Sequence, residues 1–395
     1  MTLLDRLNRE LDARLAKADA ELAAHYPGER GVRQPVHTLY VPADKFGAHT
    51  VESFGREALA VLDECADALS ADDDVRERVR AKLAAEPIED LRIDFEDGYG
   101  IRSDEEEDQA VRDAARSLRS GARPPFYGIR VKAFEAATRA RGLRTLDLFL
   151  AEIGDVGGGF VVTIPKVTSV DQVEAMAFAC ARLEHEYGAG RLRFELQVET
   201  PQAIVGADGS VLLARMVHAS EGRCAGLHYG TYDYSAACGI AAAYQSMEHP
   251  VADHAKAVMQ AVAAGTGVVV SDGSTNMLPV GDHAEQAWRV HARLVRRSLE
   301  RGFYQGWDLH PAQLPSRYLA TYAFFRQGLT TAAERARAYV YGERTAYLDE
   351  PATAAALAGF LLRGVECGAT DEAELGIDRS VLHRLARREG GLPWR

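Results

Sequence analysis

Eight short apolar runs, each followed by turn residues and then by a longer segment of helical periodicity, fill residues 36–314. The runs are V-H-T-L-Y-V (36–41), L-R-I-D-F (91–95), F-Y-G-I-R-V (126–131), F-V-V-T-I-P (160–165), F-E-L-Q-V-E (194–199), A-G-L-H-Y-G (225–230), G-V-V-V-S (267–271) and G-W-D-L-H (306–310). Strands that alternate with helices pair in parallel, because each connection is then a crossover long enough to hold a helix. Parallel strands covered on both faces read as near-continuous apolar runs. Eight such units close a (β/α)8 TIM barrel. A doubly wound open sheet is the other arrangement of the same rhythm. The expected fold class is therefore α/β, a (β/α)8 TIM barrel with an N-terminal helix and a C-terminal helical extension. The expected division is 1–30, 31–315 and 316–395.

The flanks carry their own signals. Residues 1–30 read as one amphipathic helix ended by Pro27-Gly28. Beyond 315 the strand rhythm is lost, and Y-L-A-T-Y-A-F-F-R, A-A-E-R-A-R-A-Y-V and A-T-A-A-A-L-A-G-F-L-L-R-G read as helices. Ser169 caps the segment 169–184, whose apolar residues recur at helical spacing. E-E-E-D at 105–108 reads as a solvated acidic first turn, favoured by the helix dipole.

Composition excludes several classes of partner. The net charge is −12, which argues against non-specific nucleic-acid binding and against an anionic membrane surface. The five cysteines include no C-x-x-C pair, so free thiols in a reducing compartment are expected. The charged start M-T-L-L-D-R-L-N-R-E-L-D lacks the apolar stretch of a signal peptide. No run of ~18 apolar residues occurs, so no transmembrane helix is expected. The expected location is the cytoplasm.

In a TIM barrel the active site lies at the C-terminal ends of the strands. Glu96, Asp97, Arg130, Lys166, Glu199, Asp233 and His310 all fall there. Glu199 and Asp233 are candidate ligands for a hard cation, most simply Mg²⁺, with Mn²⁺ as the alternative. Mg²⁺ takes one or two carboxylates and completes its shell with water and substrate. Asp233 has a competing role as a cap for the helix that follows it. Glu199 has none, because Thr200 is the better cap and Pro201 suits the first turn. Arg130 offers a permanently charged fork to a carboxylate or a developing enolate, or an ion pair to Glu96 or Asp97. Glu96 and Asp97 either orient this site or supply a general base. Lys166 is a candidate imine-forming lysine, but a metal site and an imine are alternative electron sinks, and the acids favour the metal. Thr231, Tyr232 and His310 are candidate substrate contacts. His249-x₄-His254 has no third ligand in register, which rejects zinc. No G-x-G-x-x-G, P-loop or G-x-S-x-G motif occurs.

In order along the chain, these motifs resemble the citrate lyase β-subunit-like group of the HpcH/HpaI aldolase and malyl-CoA lyase superfamily. V-P-A-D-K from Val41 resembles V-P-G/A-D/N-R, and I-D-F-E-D-G with Glu96 and Asp97 resembles L-D-L-E-D-A/S. I-R-V-K with Arg130 resembles R-V-N, I-P-K-V with Lys166 resembles V-P-K-V, and L-Q-V-E-T with Glu199 resembles L-I-E-T. G-T-Y-D-Y-S-A-A-C-G-I with Asp233 resembles G-x-E-D-L-A-A-D-L-G-I, and W-D-L-H-P-A-Q-L with His310 resembles W-A-I-H-P-x-Q-V. The resemblance spans residues 36–315. It implies a TIM barrel, Mg²⁺ held by Glu199 and Asp233, substrate contact by Arg130, and cleavage or formation of a C–C bond next to a carbonyl. It implies a small carboxylic acid or its CoA ester as substrate, and a homotrimer or homohexamer.

Three positions depart from the pattern: Tyr232 stands where Glu is usual, Lys132 where Asn is usual, and Cys238 where an acid is common. They mark a divergent branch. The expected function is a metal-dependent lyase or aldolase working through an enolate of a 2-oxo or 2-hydroxy acid. The base is left open between Glu96, Asp97 and hydroxide on the metal. The alternatives are a CoA-thioester hydrolase or acyl transferase on the same barrel, and a non-catalytic metabolite-binding scaffold.

Overall fold

The computed structural model describes residues 2–28 and 31–388. All eight apolar runs are strands: β1 His37–Pro42, β2 Asp90–Asp94, β3 Phe126–Arg130, β4 Phe160–Ile164, β5 Arg193–Val198, β6 Cys224–Tyr229, β7 Val269–Ser271 and β8 Gly306–Asp308. Every hydrogen-bonded neighbour is parallel, in the order β7-β6-β5-β4-β3-β2-β1-β8. A parallel bridge from Ser271 to Gln305 brings the two end strands together. With helices between the strands, this is a (β/α)8 TIM barrel.

The helices start where the sequence offers caps. Val170–Tyr187 begins at Ser169, whose hydroxyl accepts from the Gln172 N–H in a reciprocal capping box, and it buries Val173, Met176, Ala177, Cys180 and Leu183. That spacing is one stripe of a 3.6-residue helix. Asp104–Ser120 begins with the same device at Ser103. The acidic first turn is not wholly solvated, which corrects the expectation for 105–108. Glu107 and Asp108 are buried. Glu107 pairs with Lys132 at 3.0 Å and Arg141 at 3.1 Å, and Asp108 pairs with Arg141 at 2.7 Å. The pattern of charges looks the same in either case. Only Lys132 and the neighbouring helix Arg139–Ile153 decide it.

The barrel interior is polar on alternate residues. On β5, Phe194, Leu196 and Val198 are buried apolar residues, while Glu195 and Gln197 bond across the barrel interior. This is the two-residue period of a strand. Near the N-terminal end, buried Arg92 donates to Asp90 at 2.7 Å and to Glu195 at 2.9 Å, and His228 Nε2 lies 3.0 Å from Glu195. One layer toward the C-terminal end stand Asp94, Arg130, Gln197 and Tyr40.

Helix Leu314–Tyr341 follows β8 and packs on helices Leu62–Leu69, Asp73–Ala85 and Ala284–Glu300. It is the eighth helix of the barrel, so the expected boundary at 315/316 lies inside it. Its second half builds a separate apolar cluster with the following helices, including Leu329, Ala336, Leu361, Leu375, Leu382 and Leu385. Helix Leu3–His25 buries no residue. Just beyond its end, the Gly28 N–H donates to the Gly265 carbonyl at 2.8 Å. Among the described residues all five cysteines are free thiols, and no helix is long and apolar enough to cross a membrane.

Candidate active site

The strand ends bring six of the expected residues to one rim, arranged around the ammonium of Lys166. Lys166 Nζ donates to Glu96 Oε1 at 2.5 Å and Asp97 Oδ2 at 2.7 Å, and lies 3.8 Å from Asp233 Oδ1. Its own backbone N–H donates to Glu199 Oε1 at 2.7 Å. Lys166 adopts a left-handed φ of +52°, a conformation costly for a residue with a Cβ and common at functional sites. Burial opposes the lysine charge, but Glu199, Glu96 and Asp97 outweigh it and raise its pKa. An amine held this firmly as an ammonium is a poor imine-forming nucleophile.

Glu199 follows β5 and is 2% exposed. Burial, reinforced by the negative charges of Asp233 and Glu96, pushes its carboxyl up to about 8 despite Lys166 and Arg130. Gly230 packs so tightly on it that a Cβ there would sit 2.5 Å from Glu199 Oε2. Asp233 lies in the first turn of helix Thr231–Ala237 but does not cap it. The N-cap is Gly230, with no side-chain cap bond. The Asp233 carboxylate is partly exposed and free of the competing structural role. Thr200 is the N-cap residue after Glu199, with Pro201 at the first helical position, but its hydroxyl bonds to Val167.

Arg130 ends β3 and is buried. Its principal partner is Asp94, a residue the sequence reading passed over. Arg130 Nε and Nη2 donate to the two Asp94 oxygens, each at 2.6 Å. Glu96 is a weaker partner, 3.4 Å from Nη1, and Gln197 Oε1 is 3.5 Å away. The guanidinium also lies over the Tyr40 ring at 4.9 Å. Asp94 also accepts the backbone N–H groups of Glu96 at 2.9 Å and Gly98 at 2.8 Å. One carboxylate thus fixes both the arginine fork and the loop that carries Glu96 and Asp97. Burial raises the Glu96 carboxyl above its ordinary value against the pull of Arg130 and Lys166. For Asp97 burial pushes the same way, but the bond and charge of Lys166 win and lower it.

The remaining candidates have more local tasks. Tyr232 is half-buried, and its hydroxyl accepts from the Asn276 N–H at 2.6 Å. Thr231 is buried, with a hydroxyl that has no partner. His310 Nδ1 accepts from the Ala312 N–H at 3.2 Å and so caps the short turn Pro311–Gln313. Lys132, at a departing position, reaches Glu107 and the Phe95 carbonyl.

Residues 15–389 match the model of a family described as a domain of unknown function, DUF6986. This chain belongs to the DUF6986 family. No curated protein matches it. Among solved structures, this DUF6986 chain shares its fold with CitE of Mycobacterium tuberculosis, solved with magnesium, acetoacetate and coenzyme A. That similarity has a TM-score of 0.51 at 20% identity and covers 85% of this chain and 99% of the other. A citrate lyase β subunit from M. tuberculosis with oxaloacetate and magnesium gives a TM-score of 0.45 at 22% identity, covering 73% of this chain and 97% of the other. Haloferax volcanii malate synthase with magnesium and glyoxylate gives 0.49 at 14% identity, covering 73% and 76%. At these identities the likeness is one of fold.

The donor set suits a magnesium-type ion. Among the described residues no group of three or more His, Cys, Asp and Glu side chains is placed to hold a metal, which rules against a protein-only cage. Two oxygen ligands completed by water and substrate remain compatible. A buried carboxyl held near 8 beside a second acid is a site where a divalent cation would favour the ionised form.

Proposed function

We propose that this chain is a Mg²⁺-dependent carbon–carbon lyase or aldolase acting on a 2-oxo or 2-hydroxy acid, free or as a CoA ester. The observation that carries the reading is the gathering of Glu96, Asp97 and Asp233 around the Lys166 ammonium, with Glu199 on the same residue's backbone N–H, beside a buried arginine clamped by Asp94. Glu199 and Asp233 would hold the cation, Mg²⁺ or Mn²⁺. When bound, the ion supplies Lewis acidity toward a substrate oxygen.

The chain's own groups do the rest. Arg130 is locked by Asp94 through Nε and Nη2, while Nη1, held only by the long contacts to Glu96 and Gln197, turns to a substrate carboxylate or enolate oxygen. Glu96, the acid whose carboxyl is raised, takes the hydroxyl proton. As that O–H electron pair becomes a carbonyl π bond, the C–C bond breaks and its electrons pass to the other fragment as an enolate. Asp97, lowered by Lys166, is the weaker base. Lys166 keeps the acids apart and orients Glu96. Thr231 and Tyr232 border the substrate space, and His310 shapes the loop beside it.

Isothermal titration of metal-depleted protein tests the reading, first with Mg²⁺ and then with oxaloacetate, pyruvate, glyoxylate and acetyl-CoA. The fold neighbour that holds magnesium, acetoacetate and coenzyme A motivates those probes. Keto-acid binding that needs both Mg²⁺ and Glu199, and vanishes in Glu199→Ala, is expected. Binding of neither ion nor acid, or full retention in Glu199→Ala, overturns it.

A further inference from the structure

A cavity lies at the opposite end of the barrel from this site. It encloses about 360 Å³, within the range of small-ligand pockets. Its floor is the N-terminal rim, where Asp90, Phe126 and Arg193 open β2, β3 and β5. Its roof is the C-terminal extension, through Leu362 and His383, and the linker ahead of β1 forms a side wall. A bare barrel has an open N-terminal end. Here the added helices partly cover it and leave a half-open chamber.

The chamber is apolar along one wall, with Ala263, Val269 and Val270. Its acids are already committed. Asp90 and Glu195 are bound to Arg92, and Glu366 lies 3.7 Å from Arg379. Arg33 in the side wall gives its Nη2 to Glu86 and Glu89, yet its Nε is buried without an acceptor. Arg363 and Arg387 also line the cavity; Arg193 differs from Arg33 and Arg92. Among the described residues its guanidinium has no hydrogen-bond, ion-pair or ring partner, and its Nε is also buried without an acceptor. Arg193 is only partly buried and lines the cavity, so the rest of its guanidinium, without a partner among the described residues, can meet an occupant. A cavity with an unpartnered guanidinium in its wall favours an acceptor-rich occupant.

We propose that this chamber is a second ligand site, for a small organic anion with a carboxylate or phosphate head on Arg193 and an apolar body against the Ala263–Val270 wall. The site is independent of the rim chemistry at the other end of the barrel. It gives the C-terminal extension a binding role.

Titration calorimetry of the full-length chain with benzoate, phenyl phosphate and benzyl alcohol tests it. These probes share a ring and differ in the head. One or both anions should bind at least tenfold more tightly than the alcohol, and their ranking identifies the head group preferred. Arg193→Gln should weaken the anion at least tenfold and leave the alcohol unchanged, and Arg193→Lys should recover part of the loss. Ala264→Trp, at an exposed position on the cavity edge, should block all three probes. Glu199→Ala should leave the anion affinity intact, which separates this site from the catalytic rim. No anion binding at millimolar concentration, equal binding of anion and alcohol, indifference to both Arg193→Gln and Ala264→Trp, or loss in Glu199→Ala would each overturn the assignment.

Discussion

Asp94→Asn is the most informative single change in this protein. The carboxylate is 1% exposed and accepts four N–H groups, two from Arg130 and one each from Glu96 and Gly98. An amide keeps one oxygen and replaces the other with an NH₂ that can only donate. Whichever way it is turned, the NH₂ faces an arginine N–H and a backbone N–H. The change also leaves the buried Arg130 charge with only Glu96, at 3.4 Å. Breaking one side of a buried pair typically costs about 3–5 kcal/mol. Two donors stranded at about 1–3 kcal/mol each give a similar size. Urea unfolding followed by circular dichroism should therefore show Asp94→Asn destabilised by about 3–5 kcal/mol. Arg130→Met should cost a similar amount. The double variant should lose much less than the sum, because it removes both buried charges together. A loss for Asp94→Asn within ~0.5 kcal/mol of wild type, the range of ordinary surface changes, would refute the clamp. So would simple additivity in the double variant.

Two further outcomes follow from the same rim. Removing the Lys166 ammonium leaves its acids without their shared cation, and a unit charge at about 4 Å is worth about 1–4 kcal/mol between bulk water and a protein surface. Lys166→Met should therefore bind Mg²⁺ about tenfold or more tightly while turnover falls, and unchanged Mg²⁺ affinity by calorimetry would count against the geometry. For pH, the Glu199 carboxyl is raised from 4.5 to about 8 in the folded, metal-free chain, so between those values the folded state binds more protons than the unfolded state. Stability from this group is thus present at low pH and lost as pH rises through about 8. Melting curves should show that fall flattened by saturating Mg²⁺ and absent in Glu199→Gln, and an identical pH slope in all three would show that Glu199 is not the group responsible.

The site was partly legible because strand ends are legible. Glu199, Asp233, Arg130, Lys166 and the Glu96-Asp97 pair each close an apolar run, and the barrel rule sends such residues to one rim. Asp94 was missed although its signal was present. In I-D-F-E-D it sits two residues before Glu96, on the inward side of the strand alternation, inside what reads as an apolar run. The inward polar ladder of β5 was overlooked for the same reason.

The sequence by itself determined the eight strands, the caps at Ser103 and Ser169 and the helical ends of the chain. These depend on local periodicity and on side chains within a few residues of one another. Tertiary structure decided the rest. Asp94 meets Arg130 across 36 positions of chain, and Lys166 meets Glu96 across 70. Glu107 became buried because lysine and arginine arrive from other segments, and the C-terminal helices became a roof because their apolar faces found the long helix after β8. A charge pattern reads the same in solvent and in a core. Burial, and with it partners and pKa, is set only by what the distant chain brings alongside.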